Sequence, residues 1–453
     1  MPPLSEHYTF VRGLFPIPIP ANRPSYWHLS CTNAQLAPNN PASAISTDRY
    51  WNCERLLKRC GRRDLRILHL ITRLDRGGSA TNTLLTAAGL PPPFEQSLMY
   101  GRTRDFPRLA VTLGRQVEMQ ELPDLVRSPS PLKDLVSFWK IYRFLRRERF
   151  DLVHTHTSKA GILGRFAARM AGVPHIVHTP HGQAFNGYAG RMVTALFILV
   201  ERWAATFTDW IIGLTDQEVH DNLERGIGEP GQFVSIPSGI DLKPFARRDR
   251  SPAEVKASLG LSPSARLIGS VGRLDQVKGH TYLLDAFGGL APRFPDLYLA
   301  LVGDGEMLLE LRSRVEQSGL TDRILFLGWR EDIPDLLHAF DLFVFPSLSE
   351  GMGRALVEAM ASGLPIVATR VCSVPEVLAD GEAGYLVEPA NSAALAQGIE
   401  TVLIDPALRS RLANAARERA QRYSVEMMLH KIQAIYQDLL ESGNGHRCGN
   451  GHR

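Results

Sequence analysis

Apolar residues in this chain fall into short runs that recur at regular intervals. "LRILHLIT" at 65–72 is continuous enough to read as a strand buried on both faces. "FDLVHTHT" (150–157), "HIVHTPH" (175–181), "DWIIGLT" (209–215) and "FVSIPSG" (233–239) read the same way, with helical stretches at about 79–89, 131–148, 158–171 and 189–206. Strand–helix alternation of this kind predicts a parallel sheet covered by helices. The pattern then starts afresh with "RLIGSVGRL" (266–274), followed by "LYLALVGDG" (297–305), "RILFLGW" (323–329), "DLFVFPS" (341–347), "PIVATR" (365–370) and "GYLVEP" (384–389). The expectation is α/β throughout: two doubly wound, Rossmann-like domains in succession, joined near 238–262. They would face a central cleft where the carboxyl ends of their strands meet.

The two ends break the rhythm. Residues 1–63 include "LFPIPIPANRPSYW", proline-rich and without a period, and are expected to be a poorly ordered extension. The stretch 443–453, "GNGHRCGNGHR", reads as a disordered tail rather than a metal site built on His446 and His452.

Composition narrows the class without naming it. Of 453 residues, 44% are apolar and 22% charged, as in an ordinary globular protein, and the length suits two or three domains. The net charge of +4, from 51 basic and 47 acidic residues, is too small to argue for nucleic acid. Five scattered cysteines form no CxxC pair and fit a reducing compartment. The longest apolar run, "MVTALFILV", is stopped by Glu201 and Arg202 and is too short to span a bilayer. The chain opens without a basic segment leading into an apolar one, so no secretory leader is expected.

Candidate chemistry sits at strand ends. Arg273 and Lys278, in "VGRLDQVKGH", lie five residues apart where a strand runs into a helix. An anion there meets free N–H groups and the positive end of the helix, so the pair reads as a diphosphate clamp rather than two solvated charges. Gly77-Gly78 follow the first strand and let backbone come close to a ligand or simply turn. Gly303 and Gly305, in "LVGDGE", suit a tight turn beneath a ligand, and Asp304 has no DxD-type partner. His178 suits packing within its strand, whereas His181 at the strand end faces the cleft. His154 and His156, separated by Thr155, are expected on opposite faces, with only one of them reaching the cleft. "PSLSEGMGRALVEAMASG" reads as strand end, loop and helix, with Glu350 in the loop and Glu358 inside the helix. Eight positions at ~1.5 Å each is ~12 Å of helical rise. Paired glycosidase carboxyls need ~5–9.5 Å. The two glutamates therefore read as separate handles on one long ligand.

This set of motifs ("GG" at 77–78, "HTPHG" at 178–182, "VGRLDQVKG" at 271–279, "VGDG" at 302–305 and E-x7-E) resembles the family 4 glycosyltransferases. These are retaining, nucleotide-sugar-dependent enzymes of the GT-B fold. The likeness covers about 64–440 and is nearest to bacterial members that build surface polysaccharide or lipid-linked saccharides. It implies an acceptor-side domain at 64–240 and a donor-binding domain at 241–425. A helix at 426–442 would pack back toward the first domain. Arg273 and Lys278 would neutralise the donor diphosphate, Glu350 would hold the transferred sugar, and His181 would lie beside the reacting carbon. Donor binding would also draw on Gly77, Gly78, Gly303, Gly351, Met352, Gly353 and Glu358, the last through the ribose, with the base near 327–330. Met352-Gly353 depart mildly from the usual residues after "EG". The resemblance implies no metal and no cofactor, the nucleotide-sugar being a substrate, UDP-linked in the first instance. The acceptor would be a saccharide or polyprenyl-linked saccharide. The enzyme would be cytoplasmic, with peripheral contact at the inner face of the plasma membrane through the basic, aromatic helix 131–148. A nucleotide-sugar 2-epimerase on the same scaffold and a non-catalytic member of a polysaccharide-assembly complex are the alternatives; a glycosidase would leave the phosphate-binding set without a use.

Overall fold

The computed structural model describes residues 65–75, 77–103, 117–182 and 191–444. The expectations for 1–63 and 445–453 lie outside the described residues.

Two parallel sheets carry the molecule. The first has seven strands: β1 (Leu65–Ile71), β2 (Phe94–Gly101), β3 (Glu118–Leu122), β4 (Leu152–His156), β5 (His175–Thr179), β6 (Trp210–Gly213) and β7 (Phe233–Ser235). Their order across the sheet is β3-β2-β1-β4-β5-β6-β7. The second has six: β8 (Arg266–Val271), β9 (Leu297–Val302), β10 (Ile324–Gly328), β11 (Leu342–Phe345), β12 (Ile366–Thr369) and β13 (Tyr385–Val387), ordered β10-β9-β8-β11-β12-β13. In both sheets the order reverses beside the first strand in sequence, β1 and β8, which opens a crevice at their carboxyl ends. Each expected strand is present, one to four residues shorter than its apolar run. The strands β2 and β3 were not expected. β3, "EMQEL", is a largely exposed edge strand, and β2, "FEQSLMYG", mixes polar with apolar positions, so neither shows the continuous apolar run.

The helices needed below are α1 (Gly78–Gly89), α2 (Pro131–Glu148), α3 (Ser158–Ala171), α4 (Arg191–Ala205), α5 (Asp216–Glu224), α6 (His280–Leu290), α7 (Arg354–Ala361) and α8 (Val425–Asn444). Strand alternation sorts the first sheet's core into two layers. Leu68, Leu70, Val153 and Ile176 point one way, onto Ile141 and Leu145 of α2 and Ala160 and Ala167 of α3. Ile67, Leu152, Val177 and Ile212 point the other way, onto Met428, Ile432, Ile435 and Tyr436 of α8. That second layer is supplied by a helix that follows the entire second domain in sequence.

The chain crosses between the sheets twice, and the crossings lie side by side. Ile240 donates its N–H to the Tyr423 carbonyl at 2.9 Å and accepts from Val425 N at 3.2 Å. A Cβ at position 239 would stand 2.8 Å from Val425 Cα, so glycine is required where the strands touch.

Large-to-small changes in the second layer leave a cavity that a helix end cannot fill. Ile432→Ala is therefore expected to cost about 2–5 kcal/mol. Tyr436→Phe, which strips a buried imidazole nitrogen of its partner, is expected to cost about 1–3 kcal/mol. Urea unfolding followed by intrinsic fluorescence reads both; a shift below ~0.5 kcal/mol for Ile432→Ala would mean α8 contributes little to the first domain.

Candidate active site

The facing strand ends enclose a cleft of about 890 Å³. His181 and Gly182 of the first domain and Arg273, Lys278, Glu350 and Gly351 of the second are among its lining residues. Backbone strain is concentrated here. Seven described non-glycine residues have positive φ, and three of them, Thr157 (65°), His181 (60°) and Cys372 (44°), line this cleft. A β-branched residue at such a φ is costly and is held there by its surroundings, a pattern typical of sites where geometry serves function.

The second domain supplies charge. Lys278 ends a 3-10 turn (Gln276–Lys278) that leads through Gly279, at φ 65°, into α6. A Cβ on Gly279 would collide with the Pro346 carbonyl at 2.1 Å. That close approach, together with Leu348 N donating to Val277 O at 2.7 Å, locks the Lys278 loop against the loop after β11. Lys278 and Glu350 meet there as an ion pair, with side chains 20% and 8% exposed. Glu350 also accepts from the Ser347 hydroxyl at 2.8 Å. Arg273 projects further into solvent and pairs with Asp275 at 2.8 Å. On the far side of the glutamate, the Ser373 hydroxyl donates to the Gly351 carbonyl and fixes the loop's outgoing turn.

The first domain supplies imidazoles and hydroxyls, together with the carboxyl groups of Glu218 and Asp221. His154 and His156 point to the same face of the sheet, not to opposite faces, because side chains two apart on a strand share a side. His154 is level with His69 of β1 in the strand register, and both are buried with His156 beneath α8. His156 Nδ1 lies 2.9 Å from His181 Nε2, so the strand-end histidine rests on the buried one. Burial lowers the His181 pKa to about 3. Across the sheet, His178 packs against Gly161 of α3 and lies within hydrogen-bond distance (2.9 Å) of the Thr155 hydroxyl.

The other expected donor-side residues do not line this cleft. Met352 is 4% exposed and sits in the core, so its main chain alone is free to reach a ligand. Gly353 caps α7 at φ 77°. A Cβ on Gly303 would collide with the Gly272 carbonyl at 1.9 Å, which makes this glycine a requirement of backbone packing. Near the expected base site, Arg330 is paired with Asp332 at 2.5 Å. Gly77, Gly78 and Glu358 belong to a separate group organised by Arg354. The Arg354 stem would be 3.2 Å from a Cβ on Gly78, and Gly77 opens the same helix. Its guanidinium donates to the Gly239 carbonyl at 3.2 Å and lies 3.7 Å from Glu358, whose pKa burial raises.

Two residues that the sequence reading passed over complete the frame. Arg354 links α7 to both the first domain and the crossing strand, and nothing in its local sequence marks it. Glu218 of α5 accepts from Gly182 N at 3.1 Å and Leu214 N at 2.7 Å, which holds the turn after His181. Its signal was legible: Thr215 caps α5 by accepting from Glu218 N, the T-x-x-E pattern of a helix start.

Residues 64–239 match the family model "Glycosyl transferase 4-like domain", and 253–419 match "Glycosyl transferases group 1". The chain is 33% identical over 322 residues to the UDP-Gal:alpha-D-GlcNAc-diphosphoundecaprenol alpha-1,3-galactosyltransferase of Escherichia coli, covering 70% of this chain and 83% of that protein. The chain belongs to the family 4 glycosyltransferases. A D-inositol 3-phosphate glycosyltransferase of Corynebacterium glutamicum is 28% identical over 317 residues, 66% of this glycosyltransferase and 76% of that one. The fold is the GT-B fold of solved transferases. HepE of Anabaena, crystallised with UDP-glucose, superposes with a TM-score of 0.70 at 24% identity, over 83% of this chain and all of that one. WaaG, of lipopolysaccharide biosynthesis, gives 0.65 at 19% identity, over 82% and 99%.

Removing one partner of the transferase's Lys278–Glu350 pair strands the other in a poorly solvated pocket. Lys278→Met is expected to cost about 3–5 kcal/mol, and Lys278→Met with Glu350→Gln less than the sum of the single changes. A double-mutant cycle by denaturant unfolding measures this; strict additivity would mean that the pair is not coupled.

Proposed function

We propose that this glycosyltransferase moves a sugar, with retention of configuration, from a UDP-sugar to a lipid-linked saccharide in surface polysaccharide or glycolipid assembly. The observation that carries the reading is the convergence of Arg273, Lys278, Glu350 and His181 on one cleft. Lys278 and Arg273 would bind the donor diphosphate and stabilise the charge that grows on it as the glycosidic bond breaks. Lys278 is already held by Glu350, so a diphosphate would share the lysine with a carboxylate whose other oxygen is open to the sugar hydroxyls. His181 would contact the sugar from the opposite wall, and Glu358, outside the cleft lining and beside Arg354, would take the ribose of a donor that extends beyond the cleft. The leaving phosphate oxygen would take the acceptor's proton on the same face of the sugar, and the chemistry asks for no metal. UDP as the carrier is supported by the UDP-galactose of the Escherichia coli relative's name and by the UDP-glucose in the HepE crystals. The relatives named above are transferases, which favours this reading over an epimerase or a scaffold.

The acceptor side has its own cavity, also about 890 Å³, opening beside the loop after β1. Arg73, Arg102, Arg127 and Lys133 line it, with Asp75 as the acidic member. Four cations suit an acceptor that carries phosphate or diphosphate. Lys133 lies in the first turn of α2, which leaves Leu132, Leu135, Val136 and Trp139 exposed along one stripe. α4 does the same with Met192, Leu196, Leu199 and Trp203, and it packs through Trp203 on Phe166 of the intervening α3. An apolar stripe beside basic Arg143 and Arg147 fits peripheral seating on an anionic bilayer. No helix among the described residues is long and apolar enough to cross one.

Lys278→Ala is expected to lower kcat about 10²–10³-fold and raise the donor KM, because charge builds on the phosphate in the transition state. Near-normal kinetics would remove the clamp. Glu358→Ala is expected to weaken free UDP by about tenfold, or ~1.4 kcal/mol, in calorimetry; unchanged affinity would refute the ribose contact. For the membrane surface, Arg143→Glu with Arg147→Glu should abolish sedimentation with vesicles of anionic phospholipid, and undiminished binding would sink that assignment.

A further inference from the structure

Three imidazoles run in single file from the interior of the first domain to the cleft, His69 and His156 buried and His181 partly exposed at its end. The Gln96 side-chain oxygen lies 2.8 Å from His69 Nε2. His69 Nδ1 lies 3.1 Å from His156 Nε2, and His156 Nδ1 lies 2.9 Å from His181 Nε2. His181 Nδ1 ends the file, buried and without a hydrogen-bond partner among the described residues. β1, β2 and β4 bring Gln96, His69 and His156 together: Ile67 is level with Gln96, and Ile71 with His156.

A neutral imidazole carries one N–H and one bare nitrogen, so each ring in a file constrains the next. The Gln96 carbonyl oxygen can only accept, which places the His69 proton on Nε2 and leaves Nδ1 bare. His156 must then donate from Nε2, and His181 must donate from its own Nε2 to the bare Nδ1 of His156. We propose that Gln96, His69 and His156 are positioning residues that fix His181 in its Nε2–H form and so keep its Nδ1, shielded and unpartnered here, as the ring's hydrogen-bond acceptor for a ligand group that reaches it. The ligand group this selects is a hydroxyl or an amide N–H, not a phosphate or carboxylate oxygen. The file is neutral throughout, as the argument requires: burial lowers His69 to about 4 and His181 to about 3, and holds His156 well below the usual range. Metal binding by the neighbouring trio His69, His154 and His156 is disfavoured, because all six ring nitrogens are occupied. His154 has its own partners, the Tyr436 hydroxyl at 2.6 Å and the Thr179 hydroxyl at 2.8 Å.

The inference rests on the sugar-contacting role of His181, but its first test does not. Long-range 1H–15N correlation spectra of the full chain, labelled at histidine nitrogens and assigned with His181→Asn, report which nitrogen carries each proton. A bare Nδ1 on His181 and a protonated Nε2 are expected, and the reverse would overturn the proposal whatever the activity proves to be. Gln96→Met, which keeps the length but removes the acceptor, should mix the His181 tautomers. It should also lower kcat about tenfold, well below the ~10⁴-fold that a wrong tautomer costs where histidine itself moves the proton. Donor KM should stay within about twofold. Gln96→Glu, which retains an acceptor oxygen, should restore both spectrum and rate. In a His156→Phe background the file is cut and Gln96→Met should have no further effect; additive losses, or an unchanged spectrum in Gln96→Met, would refute the relay.

Discussion

A parallel sheet directs all of its strands the same way, so every loop that follows a strand leaves by one edge. Most of what this glycosyltransferase can do chemically follows from that constraint. His181 stands two residues beyond β5, Arg273 two beyond β8, and Glu350 five beyond β11. No helix needs to be specialised for the purpose. Setting two such edges opposite each other concentrates strand-end loops from both domains around one space, and the strained backbone of Thr157, His181 and Cys372 shows how crowded that space is.

The two walls differ in kind. On the second domain, Lys278 and Glu350 are matched charges, and Arg273 adds a further cation held by Asp275. On the first, imidazoles kept uncharged by burial and neutral hydroxyls stand beside the carboxyl groups of Glu218 and Asp221. The third element, Arg354, is neither wall: it spans from α7 to the Gly239 carbonyl and the start of α1, where the two domains are tied together.

Much of this was legible in the sequence because it rests on local pattern. Apolar runs located eleven of the thirteen strands among the described residues, and glycine-flanked charges at run ends located Arg273, Lys278 and Glu350. What escaped depends on distance along the chain. The edge strand β3 carries polar residues where solvent reaches it, and its neighbour β2 mixes polar with apolar positions, so their signal is weak. His69 and His156, 87 residues apart, meet only through the β1–β4 register. The face shared by His154 and His156 was available from strand period alone and was misjudged; their common burial under α8 was not, since it requires knowing which helix returns. Arg354 looks like any helix-start arginine until the domains are set side by side.

The returning helix also has a bearing on biosynthesis. Ile67, Leu152 and Val177 are translated early, whereas the α8 residues that cover them emerge only after the whole second domain. During synthesis the first sheet is therefore half-clad, with an apolar face exposed while more than a hundred further residues are added. Domains as a rule fold in order from the amino terminus; here the first to be made is the last to be finished. A ribosome that stalls within the second domain releases a chain whose sheet remains adhesive, and a chaperone that recognises apolar surface has a defined target on it until α8 arrives.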